Sequence, residues 1–158
     1  MFMETSDYML VKSLVPEIRI INETEFRLIG YTKEHALLYH EWHAHSEEID
    51  DEIFKSHSLE LFQVLEKLRP TYFLVNDKKR KLSISTEINE FLVVNFQPIY
   101  SHPTMKKVAL VSNELLSIQG QAESTMEDID KAAKSKGAEF NFFVDVTQAM
   151  QWLGITNK

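Results

Sequence analysis

Three short apolar runs, Tyr72–Val75, Lys107–Ser112 and Phe140–Val144, are each preceded or followed by a segment of helical period, and they come after an extended, His-rich N-terminal third. Strands alternating with helices in this way predict an α/β fold. With 158 residues, 44% of them hydrophobic and 26% charged, the chain can fill one core and would be cramped as two, so residues 1–158 read as a single domain.

In the N-terminal third, Tyr8–Leu14, Glu17–Ile21 and Glu25–Tyr31 read as antiparallel strands of a meander, separated by Pro16 and the polar stretch Asn22–Thr24. Ala36–His45 fits two periods. Leu38, Trp42 and His45 have helical spacing, whereas alternation sets Leu37, Tyr39, Glu41 and His43 against Leu38, His40, Trp42 and Ala44; the strand is favoured. Ile53, His57, Leu61, Val64, Leu65 and Leu68 then form a helical stripe, with acidic Asp50–Glu52 at its positive start and Pro70 stopping it. A second helix is capped by Thr86 or Ser85 and runs to Gln97, with Pro98 ending it and Pro98–Met105 crossing the surface as a loop. Glu114–Ile118 reads as a short helix and Thr125–Lys136 as a longer one ended by Gly137. In the terminal DVTQAMQWLG, Asp145 and Gln148 form a capping-box-like pair, Ala149, Trp152 and Leu153 the apolar face, and Gly154 the stop.

Composition narrows the function classes. A net charge of -7 opposes the concentrated positive field that nucleic acid requires, so no nucleic-acid partner is expected. The absence of Cys excludes disulfides, thiolate metal sites and thiol nucleophiles, and suits a reducing compartment. Met1–Tyr8 is acidic and polar, and no run of about 18 apolar residues occurs, so a cytoplasmic protein without integral membrane association is expected.

Trp42 at the end of an N-terminal strand, the acidic helix start, TYFLVND ending in Asp77, KKVALVS and the terminal FVDVTQAMQWL together resemble the SpoIIAA-like branch of the STAS superfamily over roughly residues 25–153. The resemblance implies a mixed sheet of four or five strands with helices packed mainly on one face. It also implies a protein-interaction module, or kinship with lipid-carrying domains of the same architecture. Anti-sigma-factor antagonists of that superfamily carry an Asp-Ser-Ser/Thr-Gly segment at a helix start, whose hydroxyl is phosphorylated to switch partner binding. The matching region here reads NDKKRKLSISTEI, with Ser83, Ser85 and Thr86 but no glycine. Ser85 and Thr86 are therefore the candidate phosphosite, and capping alone also explains them.

The same stretch supplies the candidate ligand or partner surface, Asp77, Lys78, Lys79, Arg80, Lys81, Ser85 and Thr86. It follows a central strand, and ligands of open α/β sheets sit outside the strand carboxyl ends, where helix N–H groups can hold an anion. A solvated basic turn is the plainer account, because a close phosphate cradle normally needs glycine. His35, His40, His43 and His45 lie near Glu41, Glu47 and Glu48, but a strand sends His40 away from His43 and His45, so no metal site is assigned. Tyr39, Trp42, Phe54, Phe62, Phe91, Phe96 and Trp152 could line an apolar cavity or simply form core, and Phe96, Ile99 and Tyr100 are the expected exposed apolar group for a partner or homodimer. GxSxG, Walker A and GxGxxG patterns are absent, Asp77 lacks a second acid or nucleophile at defined spacing, and no cofactor is implied. Two expectations follow: a non-enzymatic cytoplasmic interaction or regulatory module with a protein partner, or a carrier or sensor of a small amphipathic, anionic or apolar ligand.

Overall fold

A computed structural model describes residues 7–43, 49–79, 85–112, 124, 125, 127–129, 131 and 138–155. Six strands form one mixed sheet in chain order: β1 (Arg19–Glu23), β2 (Arg27–Thr32), β3 (Leu37–Trp42), β4 (Tyr72–Asn76), β5 (Lys107–Val111) and β6 (Glu139–Phe143). The first three are antiparallel neighbours, and β3 to β6 run parallel. This exceeds the four or five strands expected, because all three N-terminal strands join the same sheet as the parallel set.

Each parallel step needs a crossover. Helix α2 (Asp51–Leu68) links β3 to β4, α3 (Thr86–Tyr100) links β4 to β5, and helical residues 124–125 and 127–129 lie between β5 and β6. With strand order equal to chain order, right-handed crossovers stack these helices on one face. Their apolar residues meet there: Leu61, Phe62 and Leu65 of α2, Phe96, Ile99 and Tyr100 of α3, and Ile129, over Leu38, Phe73 and Val108. The opposite face is also covered. Helix α1 (Tyr8–Leu14) and the terminal helix α4 (Val146–Leu153) pack on Leu28, Leu37, Tyr39, Leu74, Ala109 and Val111. Helices thus lie on both faces rather than mainly on one as expected, because α1 and α4 cover apolar residues of the second face, and β3 is buried along its whole length.

Helix α1 corrects the expectation of a strand at Tyr8–Leu14. Val11 is the one β-branched residue in YMLVKSL, and the buried residues Tyr8, Val11 and Val15 recur at i, i+3 and i+7, a helical stripe. Gly30 of β2 lies beneath it. A Cβ there would stand 3.1 Å from the Tyr8 ring and 3.3 Å from Ile18, so α1 approaches the sheet where a side chain is missing.

The strand expected at Ala36–His45 is β3, the acidic start expected of α2 includes its N-cap Asp50, and Asp145 caps α4 through the Thr147 N–H. Asp50 accepts the Ile53 N–H at 2.8 Å, and Pro70 follows the left-handed Arg69 that closes α2. Asp145 accepts the Thr147 N–H at 2.7 Å, and Gly154 closes α4 at φ +80°. Pro98 does not end α3, which runs through it to Tyr100. The carbonyl that Pro98 leaves without an intrahelical donor belongs to Val94, on the exposed face, while burial of Ile99 and Tyr100 offsets the cost of about 3 kcal/mol. That burial also overturns the expected exposed group at Phe96, Ile99 and Tyr100. The expected helix at Glu114–Ile118, the stop at Gly137, and His45, Glu47 and Glu48 lie outside the described residues. No described helix is long and apolar enough to cross a membrane.

Candidate functional site

The carboxyl ends of the parallel strands deliver side chains to two faces. Register pairs His40 with Val75 and Glu41 with Asn76, so alternation aims His40, Trp42, Val75 and Asp77 at α2 and α3, and Tyr39, Glu41 and Asn76 at α1. The α2–α3 side holds a cavity of about 120 Å³. Its walls are Trp42, Phe54, Phe62, Phe73 and Phe96 with aliphatic neighbours, and its polar lining comes from His40, Ser58, Asp77 and Thr125. Trp42 stacks on Phe54 at 5.6 Å between ring centroids, and His40 meets Trp42 edge-on at 5.0 Å. The Thr125 hydroxyl donates to Asn89 Oδ1 at 2.6 Å and Asn89 Nδ2 donates to Asp128 at 2.9 Å, which ties this wall to α3.

The α1 side carries a buried hydrogen-bond chain. Tyr39 donates to Glu41 Oε1 at 2.6 Å, and Asn76 Nδ2 donates to the Tyr39 oxygen at 3.0 Å and to Asp7 at 2.9 Å. Lys78 Nζ completes it on Asp7 at 3.1 Å, while Asn76 Oδ1 accepts the Lys78 N–H at 3.1 Å and shapes the turn after β4. Burial, and then the Glu41 carboxylate, hold the Tyr39 phenol well above its ordinary pKa of 10.0. A raised phenol contributes stability below pH about 10 that is lost as pH climbs toward the folded-state value, at up to about 1.4 kcal/mol per pH unit. Alkaline unfolding followed by circular dichroism should therefore be steeper above pH 10 in the wild type than in Tyr39→Phe. At neutral pH, Tyr39→Phe should cost about 1–3 kcal/mol, because Glu41 loses a donor while buried.

The residues singled out in the sequence part company here. Asp77 is buried, lines the cavity, and gives its N–H to the Val111 carbonyl at 2.7 Å. Lys78 is half-buried on Asp7, so it belongs to the anchoring of α1. Lys79 is partly buried, while Arg80, Lys81 and Ser83 lie outside the described residues. Ser85 is the N-cap of α3, its Oγ accepting the Ile88 N–H at 3.1 Å, and Thr86 is the first helical residue; both are exposed. His35 pairs with Glu17 at 2.7 Å and His43 with Glu23 at 3.4 Å, so neither faces His40 in the core. Of the proposed cavity aromatics, Trp42, Phe54, Phe62 and Phe96 line it, Phe91 packs beside Phe62, and Tyr39 and Trp152 belong to the other face.

Two groups carried no sequence signal. Arg27, fully buried on β2, pairs with Glu60 of α2, and burial lowers its pKa against the opposing pull of Glu60. Among the described residues, its Nε and Nη1, and the hydroxyl of buried Ser112 after β5, have no hydrogen-bond partner. No known family model, curated protein or solved structure matches this chain.

Proposed function

We propose that the chain is a non-enzymatic interaction module of STAS-like kind, offering a protein partner the carboxyl edge of its parallel strands and the head of α3. The observation that carries this reading is Ser85. It follows the second parallel strand, caps a helix of 15 residues, and stays exposed at the positive helix end. The phosphorylated hydroxyl of anti-sigma-factor antagonists stands at a helix start as well, and the sequential β3–β6 order with α2 and α3 on one face supports the same kinship. A phosphate on Ser85 or Thr86 would meet the first-turn N–H groups and add negative charge at the positive end of α3. A cytoplasmic setting belongs to this reading, in keeping with a chain free of Cys.

The cavity favours a second reading, a sensor of a small apolar ligand, and its size bounds that ligand. About 120 Å³ is below the roughly 300–1,000 Å³ of ordinary ligand sites and near the roughly 150 Å³ that admits benzene, so a ligand of about one ring is the best match.

The partner surface is tested by recovering the chain from its own cells and quantifying co-purifying proteins by mass spectrometry. Ser85→Asp keeps an N-cap acceptor and adds charge, and Arg80→Ser with Lys81→Ser removes basic groups while sparing the Lys78–Asp7 pair. Loss of the co-purifying protein in both variants, with melting temperature held within a few degrees, is expected. An unchanged set of bound proteins in both would refute the assignment.

A further inference from the structure

The cavity between the sheet and the α2–α3 layer changes character along its length. Strand β4 enters it near Phe73 and leaves at Asp77, and both line it, as do Val108 and Leu110 of β5. Helix α3 runs back against the strands, so Phe96, 6.0 Å from Phe73 between ring centroids, shares the floor, and Leu92 lies a turn closer to the head of α3. Thr125 belongs to the other end, because its partner Asn89 sits near the start of α3. Asp77 and Thr125 thus make a polar end at the strand termini, opposite an aromatic floor.

The polar end is rich in acceptors. A carboxylate has about four lone-pair sites and no donor, so Asp77 keeps room for a ligand beside its protein contacts. Thr125 gives its proton to Asn89 Oδ1 at 2.6 Å, and Asn89 Nδ2 donates to Asp128 at 2.9 Å, so Thr125 turns lone pairs alone to the cavity. Among the described lining residues there is no Lys or Arg. Ser112 follows Val111, whose carbonyl accepts the Asp77 N–H at 2.7 Å, and alternation puts it on the face of Val108 and Leu110. Its hydroxyl is buried and has no hydrogen-bond partner among the described residues. Buried hydroxyls are as a rule paired, and a bound ligand would supply the partner. A ligand hydroxyl would donate to Asp77 and accept from Ser112, whereas an ammonium accepts nothing. Aromatic walls at Trp42, Phe54 and Phe96, and a volume of about 120 Å³ beside the roughly 150 Å³ that admits benzene, set the rest of the ligand at one ring. We propose that the cavity binds a one-ring phenol, with its ring on the aromatic floor and its hydroxyl on Asp77, which rests on the reading of the chain as a small-ligand sensor and names that ligand's class.

Isothermal titration calorimetry at neutral pH, where a phenol of ordinary pKa about 10 is uncharged, tests this with phenol and toluene, which differ by a hydroxyl in place of a methyl. The wild type should bind phenol about tenfold or more tighter than toluene, since a site built to meet a hydroxyl rejects the analogue without it. Asp77→Val, with circular dichroism confirming its fold, should reverse that order, because the cavity then holds no carboxylate. If Asp77→Val does not fold, the wild-type order alone decides. Toluene binding as tightly as phenol or tighter in the wild type overturns the phenol assignment and leaves the apolar sensor reading standing. A phenol preference unchanged in Asp77→Val removes Asp77 as the acceptor and overturns the assignment too. Binding of neither compound at millimolar concentration refutes the sensor reading itself, and the phenol assignment with it.

Discussion

Replacing Trp42 by Ala should cost about 3–5 kcal/mol, the largest single loss expected in the chain. The indole is 4% exposed, stacked on Phe54, edge-on to His40, and already borders a cavity. Truncation would enlarge that void, because the surrounding rings are held by two layers: Phe73 by β4 below, Phe62 and Phe96 by α2 and α3 above. Chemical denaturation measures the loss. Added indole should raise the melting temperature of the variant and leave the wild type unmoved, since apolar cavities of this kind accept matching rings. A loss below about 1 kcal/mol would mean that the α2–α3 layer closes without Trp42.

Leu153→Ala should cost about 2–5 kcal/mol and report on the other face. Val146, Ala149, Met150 and Leu153 are the buried face of α4, packed on Leu74, Ala109 and Val111. The neighbouring Trp152 is larger yet only partly buried, lying against Phe143 with the Lys107 ammonium 4.8 Å above its ring. Trp152→Ala should therefore destabilise less than Leu153→Ala in the same denaturation series. The reverse order would mean that α4 is rotated toward its indole face.

The parallel half of the fold was legible because its signals are local. β4, β5 and β6 are short apolar runs, and Asp50, Asp145 and Gly154 mark helix ends by chemistry confined to one turn. At α1 the local signal was read with the wrong period: seven residues give little room to separate i, i+3 spacing from alternation, and the sheet beneath decides. Pro98 misled for the opposite reason, since a backbone rule lost to the burial of Ile99 and Tyr100 next to it. In the candidate site, the head of α3 at Ser85 could be read from sequence. The convergence of His40 with Asp77, and of Asp7 with Asn76, could not, because register between distant strands sets both. For the same reason Lys78 looked like one member of a basic run, whereas its ammonium is committed to Asp7.

Native mass spectrometry of the protein freshly isolated from its own cells tests the interaction-module account most directly. The cavity behind Trp42, about 120 Å³, is small beside ordinary ligand sites. The account therefore predicts the mass of the bare chain or its dimer, together with a complex containing a co-purifying protein that Ser85→Asp abolishes. A lipid-sized non-covalent mass retained on every molecule, with no protein partner in any complex, would contradict it.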